Sequence, residues 1–346
     1  MKFNIQPLDQ AAIAAAIARQ NQLTKPQGSL GRLEEISVQL AGISGQCPPP
    51  VPARKAVLVF AGDHGVVKQG VSAFPQEVTP QMVLNFLRGG AAVNVLARHA
   101  GARIRVIDAG VAFPLPAAPG LVAGRIANGT ADMSEGPAMT RRQAQAAIEL
   151  GARVVREEIA AGLDLLACGE MGIGNTTPAT AIISVLTGCP PKEVAGPGTG
   201  INAEGISHKA RIVEKSIAIN QPDRADGLDV LAKVGGFEIG AIVGAMLAAA
   251  EARIPIVVDG FIVTAAAMIA ATIEPSVAAY MIAGHRSAEP GHDIALNALG
   301  IKPLLDIRLR LGEGTGAVLA MHQVEAAALI LREMATFADA GVSNKE

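Results

Sequence analysis

The sequence predicts an α/β fold with a mostly parallel sheet covered by helices on both faces. Two observations lead there. Five short segments are apolar and rich in β-formers, and each ends in glycine or a polar turn: KAVLVFAG (55–62), RIRVIDAG (103–110), LDLLACGE (163–170), IPIVVDGF (254–261) and VAAYMIAG (277–284). Strands this apolar suit a sheet buried on both sides. Between them the pattern turns helical, and strand–helix alternation is the signature of parallel pairing. The bulk agrees: 346 residues, 50% of them hydrophobic and 17% charged, make a globular chain with a large core.

In chain order, residues 9–22 (DQAAIAAAIARQNQ) and 32–43 (RLEEISVQLAGI) read as helices, and CPPPVP (47–52) breaks the chain because proline lacks the amide a helix needs. Strand 55–62 follows. Thr140 with Gln143 three residues on forms a capping box ahead of AQAAIELGARVVREEIAAG. Strand 163–170 runs through a glycine-rich turn into TPATAIISVL, with Thr177 as N-cap and Pro178 at the first helical position. KEVAGPG (192–198) is a weaker, sixth strand candidate. The uncharged runs 239–250 and 260–273, of 12 and 14 residues, read as buried helices; a membrane span needs roughly 20. The stretch 316–338 is helical again. Having no strand of their own, the two chain ends are expected to fold together into a small helical domain.

Composition narrows the function. Net charge is −2, and no basic stripe is interleaved with aromatics, so nucleic acid is not an expected partner. The N-terminal MKFNIQPLDQ has no apolar stretch like a signal peptide. The three cysteines, Cys47, Cys168 and Cys189, are odd in number and form no Cys-x-x-Cys; small core residues in a reducing cytoplasm are the expectation.

Ligands of open parallel sheets bind beyond the carboxyl ends of the strands. The chain puts polar residues there repeatedly: Asp63-His64 after the first strand, Asp108 near the end of the second, Glu170, Asp259-Gly260, and His285-Arg286-Ser287. The stretch GEMGIGNTTPAT (169–180) sets Glu170 among Gly172 and Gly174, followed by Asn175 and Thr176 at a helix start. Its glycines allow amides to approach a ligand, and the helix N-terminus favours an anion. It is neither a Walker loop nor a complete dinucleotide fingerprint. A second glycine-rich turn, AGPGTG (195–200), contains Gly198 and precedes Lys209, an ammonium suited to a phosphate monoester. In RLGEGTGA (310–317) Glu313 stands between glycines on what reads as exposed backbone, with Arg310 as a possible partner. The histidines lack metal-ligand spacing, and no Gly-x-Ser-x-Gly elbow occurs, so no metal, no cofactor and no serine hydrolysis are expected.

Taken together, KPQGSLGRLE (25–34), AGDHGV (61–66), GEMGIGNTTPA (169–179), INQPDRADGLDVLAKVGGFEIG (219–240), DGF (259–261), HRSAE (285–289) and RLGEGTGA (310–317) resemble the nicotinate-nucleotide–dimethylbenzimidazole phosphoribosyltransferases, which prepare the lower ligand of cobalamin. The segments occur in family order over nearly the whole chain. The resemblance implies a Rossmann-like domain with a six-stranded parallel sheet (53–310) and a small helical domain from both ends (1–52 and 311–346). It also implies a homodimer with active sites near the subunit interface. It makes Glu313 the catalytic base. Glu170, Gly198, Lys209 and Ser287 would help hold the ribose phosphate of nicotinate mononucleotide. The benzimidazole-type base would lie against Phe74, Met82 and Leu311. Where family members carry Ser and Gln beside the azole, this sequence has the apolar Phe74 and Met82, which grip a ring by packing and leave another benzimidazole, a purine or a phenol as conceivable acceptors.

The chemistry asks for these parts. A pyridinium leaves already neutralised, so no general acid is required. The sugar becomes oxocarbenium-like, and a carboxylate such as Glu170 stabilises it. The attacking azole must lose the proton on its other nitrogen, which one carboxylate can take. From the residues alone two other readings stay open. One is a nucleotide or sugar-phosphate hydrolase with water as acceptor; the other is a nucleotide-binding regulator without turnover.

Overall fold

A computed structural model describes residues 2–343. Six strands form one all-parallel sheet: β1 (Lys55–Gly62), β2 (Ala102–Gly110), β3 (Leu121–Ala123), β4 (Leu165–Met171), β5 (Ile256–Val258) and β6 (Met281–Ala283), in the spatial order β3-β2-β1-β4-β5-β6. The order reverses between β1 and β4, a doubly wound arrangement. Every residue of β1 is buried. Ala56, Leu58 and Phe60 point into one core; Val57, Val59 and Ala61 point into the other. That period-two alternation between two apolar layers explains why the strand shows no polar face.

One layer is built from the helices Arg141–Ala160, Thr176–Thr187, Phe237–Glu251 and Phe261–Ile273. The expected capping box starts the first of these: Gln143 N donates to Thr140 Oγ1 (3.2 Å) and Thr140 N to Gln143 Oε1 (2.9 Å). The other layer contains Ala92–Ala100 and Thr315–Glu333, whose Ala317, Val318, Met321 and Val324 pack under the sheet. The chain ends meet on that side. Ala12 and Ala16 of the helix Gln10–Gln20, Ala41 of Arg32–Ser44, Leu23 and Leu331 form one apolar cluster, and Leu23 bridges Thr336 in antiparallel fashion. No helix among the described residues is long and apolar enough to cross a membrane.

Three expectations are corrected. KEVAGPG (192–198) is not a strand: Pro191–Val194 make one helical turn, with Pro190 at φ −57° and a second proline at the helix start, and the sixth strand is the three-residue β3. Three residues are too few for a periodic signal. The segments 254–261 and 277–284 shrink to three paired residues each, and Pro275–Tyr280 instead form a 3-10 turn opened by Pro275. The helix after β4 begins at Thr176, with Asn175 in the cap position and making no capping bond, while Thr177 is buried with its Oγ1 unpartnered.

Candidate active site

The polar strand endings do not all serve one site. Asp108 pairs with Arg125 (2.8 Å) and accepts the Val111 amide (2.9 Å), while Asp63 accepts the Ala112 amide (2.8 Å). His64 Nε2 is 2.8 Å from Glu238 Oε1, both fully enclosed. Beside that carboxylate the imidazole pKa is held above its ordinary value even though burial itself lowers it. These groups fasten loops. The endings of β4, β5 and β6 supply the site: Glu170, Asp259, His285 and Ser287 all line a cavity of about 420 Å³.

Ten of the twelve residues singled out from the sequence line this cavity: Glu313, Glu170, Gly172, Asn175, Thr176, Gly198, Ser287, Phe74, Met82 and Leu311. Gly174 and Lys209 do not. Gly174, at φ 88°, shapes the turn behind the wall, and its carbonyl accepts the Thr177 amide (3.0 Å). With that amide engaged and Pro178 lacking one, the helix end is a poorer anion site than its sequence promised. Lys209, on the helix Ala203–Asn220, stands immediately behind Thr176.

Glu313 is held differently from the expectation. Its backbone is left-handed (φ 63°) between Gly312 (82°) and Gly314 (94°), an uncommon conformation for a residue with a Cβ. The turn rides directly on β4: a Cβ on Gly169 would collide with the Glu313 carbonyl. The side chain is only 5% exposed. Its Oε2 accepts the Val93 amide (3.3 Å) in the first turn of Ala92–Ala100, where the helix dipole favours a negative charge. Arg310 does not pair with it; Arg310 Nη1 donates to the Gly198 carbonyl (3.0 Å) and ties the two glycine-rich loops together. Burial raises the Glu313 pKa above the usual carboxylate range; the Val93 amide works against that shift.

Glu170 lies against Gly312, so the two carboxylates are neighbours. Asn175 Nδ2 donates to Glu170 Oε2, which explains why Asn175 does not cap its helix. Burial, reinforced by the charges of Glu238, Asp259 and Glu313, pushes the Glu170 pKa up to about 8. Asp259, also raised by burial, accepts the Ala317 amide (2.8 Å), and His285 Nε2 is 3.7 Å away.

At the other end Lys209 Nζ donates to Thr176 Oγ1 (3.1 Å) and the Gly196 carbonyl (3.0 Å), and burial lowers its pKa to about 8. The Gly198 amide donates to Glu289 Oε1 (2.9 Å). The Ser287 amide donates to His292 Nδ1 (2.8 Å), and His292 Nε2 is 2.9 Å from Thr264 Oγ1. Burial takes the His292 pKa down to about 3, so a neutral imidazole orients Ser287. Thr199 Oγ1 accepts the Ala73 amide (3.2 Å) and fixes the loop that presents Phe74. Phe74, Val78, Met82, Met171 and Leu311 make an apolar wall.

Sequence reasoning missed the Val93 amide, Met171 and the role of Glu289. Glu289 and Met171 lie inside quoted motifs. Val93 carries no signal at all, because an amide does its work whatever the side chain. The assembled site is an apolar wall, small-residue loops backed by the Lys209 ammonium, and several enclosed carboxylates on the same cavity.

Comparisons with known proteins agree on what such a chain resembles. A family model described as "Phosphoribosyltransferase" matches residues 5–342. A nicotinate-nucleotide–dimethylbenzimidazole phosphoribosyltransferase from Chloroflexus aggregans is 58% identical over 343 residues, covering 99% of this chain and 97% of the relative. The crystal structure of CobT from Thermus thermophilus superposes with a TM-score of 0.94 at 50% identity, over 97% of this chain and 100% of that one. A second structure from that organism, of its nicotinate-nucleotide–dimethylbenzimidazole phosphoribosyltransferase, gives 0.93 at 49% identity, over 98% and 100%.

Proposed function

This chain belongs to the nicotinate-nucleotide–dimethylbenzimidazole phosphoribosyltransferase family and is a pentosyl-transferring enzyme, and from that premise we propose that it moves the 5-phosphoribosyl group from nicotinate mononucleotide to 5,6-dimethylbenzimidazole or a related base, by direct displacement with inversion at the anomeric carbon and with Glu313 as general base. The observation that carries this reading is the placement of Glu313: an enclosed carboxylate, held by one backbone amide, on the wall of the same cavity as the apolar slot.

In this reading the nucleotide phosphate lies at the Thr176–Gly198–Ser287 end, with Lys209 behind it. The ribose lies beside Glu170. A pyridinium brought against Glu170 favours its ionised form, since an opposite charge stabilises a carboxylate, and the ionised group then faces the developing sugar cation. The azole packs on Phe74, Met82, Met171 and Leu311. Its lone-pair nitrogen attacks the anomeric carbon from the face opposite the departing nicotinate, turning the β nucleotide into α-ribazole 5'-phosphate. The proton on its second nitrogen passes to Glu313. A base with a pKa raised by burial accepts that proton more readily.

We also propose a homodimer. Phe74 and Leu311 are 50% and 56% exposed at the cavity wall, where a second subunit would cover them. Incubation with nicotinate mononucleotide and dimethylbenzimidazole tests the activity; release of nicotinate only in the presence of the base supports transfer, and release without it supports a hydrolase. The anomeric configuration of the product tests inversion: retention would mean a covalent intermediate, for which Glu170 is the available nucleophile. Light scattering in solution tests the dimer.

A further inference from the structure

Glu289 belongs to a recognised motif but has no part in the mechanism above. It lines the cavity at its phosphate end and is 5% exposed. One carboxylate oxygen, Oε1, accepts the Gly198 amide at 2.9 Å. The other, Oε2, is buried with no hydrogen-bond partner. A carboxylate therefore already sits among the groups that are to receive a phosphate. Two anions side by side in an enclosed site repel strongly unless a proton lies between them.

The charges around Glu289 do not remove this conflict. Lys209 faces it from the helix Ala203–Asn220 and Arg310 from the loop before Glu313; both favour its ionised form. Burial acts in the opposite sense and is the larger influence, so the carboxyl titrates above its ordinary range. Arg286 is engaged by Asp293 and Asp306, and the neighbouring His292 is neutral. His285 lies beside Asp259, and Glu170, Asp259 and Glu313, which also line the cavity, are acidic, so none of them offsets a second anion. Lys209 is itself shared between Thr176 and the Gly196 carbonyl.

We propose that Glu289 is a resident carboxylate of the phosphate cradle, which admits a phosphate only together with one proton held between Glu289 and a phosphate oxygen, and which thereby disfavours tetrahedral dianions of low proton affinity, such as sulfate. The proposal rests on the reading that this end of the cavity holds the ribose phosphate. The balance is simple. A phosphate monoester loses its second proton near pH 6, so above that pH, wherever Glu289 is also ionised when free, the complex takes one proton from water. Its affinity then falls as pH rises, by up to about tenfold per unit. Sulfate is a far weaker base than a phosphate monoester, so a proton taken from water is held less well between it and Glu289.

Ribose 5-phosphate is the probe for proton uptake, because it lacks the pyridinium that would disturb Glu170. Calorimetry in two buffers of different ionisation enthalpy should show about one proton taken up per ligand between pH 6.5 and 7.5. Inorganic phosphate should compete with ribose 5-phosphate at least about tenfold better than sulfate does. In Glu289→Gln the amide oxygen can still accept the Gly198 amide, and the amide nitrogen supplies a permanent hydrogen in place of the shared proton. That variant should take up no proton through this group, lose the part of the pH slope that Glu289 supplies, and bind sulfate about as well as phosphate. Lys209 faces Glu289 and its own titration shifts when that charge is removed, so the same measurements on Lys209→Ala, with and without Glu289→Gln, separate its protons from those of Glu289. Wild-type binding of phosphate without proton uptake, or sulfate competing equally well, overturns the proposal even if the variant fails to fold, and leaves the phosphate cradle standing. A wild-type protein that binds neither ribose 5-phosphate nor nicotinate mononucleotide removes the cradle and this proposal together.

Discussion

The two ends of the cavity are built on opposite principles. At the carboxylate and phosphate end the acidic groups and the ammonium are enclosed and tied: Lys209 is 1% exposed with two acceptors, Glu170 has Asn175, Glu313 has the Val93 amide, and Glu289 has the Gly198 amide. At the azole end Phe74 and Leu311 are half open to solvent, and the wall has no side-chain hydrogen bonds to offer a ring. Enclosed polar groups need partners, and satisfying them fixes geometry to tenths of an ångström. Apolar packing asks only for shape and tolerates replacement. Position-sensitive chemistry is thus placed on the rigid end and acceptor choice on the adaptable one.

The strongest test of this contrast is Glu313→Gln. Turnover should fall by about 10²–10⁴-fold while nicotinate mononucleotide binding stays near the wild-type value, measured as kcat against Kd. Near-normal turnover would remove Glu313 from the chemistry. Next in size is Gly169→Ala. The added Cβ pushes on the Glu313 carbonyl, and displacing the base by about an ångström should cost roughly 10² in kcat; a crystal structure of the variant would show the turn shifted off β4. Lys209→Ala tests the rigid end from the other side. Removing this ammonium should raise the KM for nicotinate mononucleotide by about ten- to a hundredfold, with a smaller change in kcat.

The pH profile distinguishes the groups further. The base works ionised, so kcat should climb with pH through a midpoint above the ordinary carboxylate value of 4.5, in the direction burial moves Glu313. Lys209 loses its charge above about 8, so kcat/KM should decline on the alkaline side. Loss of that alkaline limb in Lys209→Ala would assign it; its persistence would assign it elsewhere. The smallest effects belong to the soft end. Phe74→Ala should change the KM of a given base by only about three- to tenfold, but should reorder the preference among bases in a competition assay. Strict dimethylbenzimidazole selectivity in the unaltered enzyme would show the slot to be less adaptable than its apolar wall implies.

Residue order alone is enough to read the long strands, the capped helix after Thr140, the membership of the family, and ten residues of the cavity wall. Each of these is written within a few neighbouring residues, as a period, a cap or a motif, so local chain physics suffices to read it. Which strand endings converge is settled by packing in three dimensions. Asp63 and Asp108 look in sequence like Glu170 and Asp259, yet they fasten loops beyond the cavity. Packing also encloses Glu313, which the sequence had suggested was displayed on exposed backbone. Its anchoring amide is 220 residues away at Val93, and the Gly198–Glu289 contact spans 91. No local pattern encodes a partner that distant. Such pairs exist only once the sheet order and the packing of the helices on it bring the segments together.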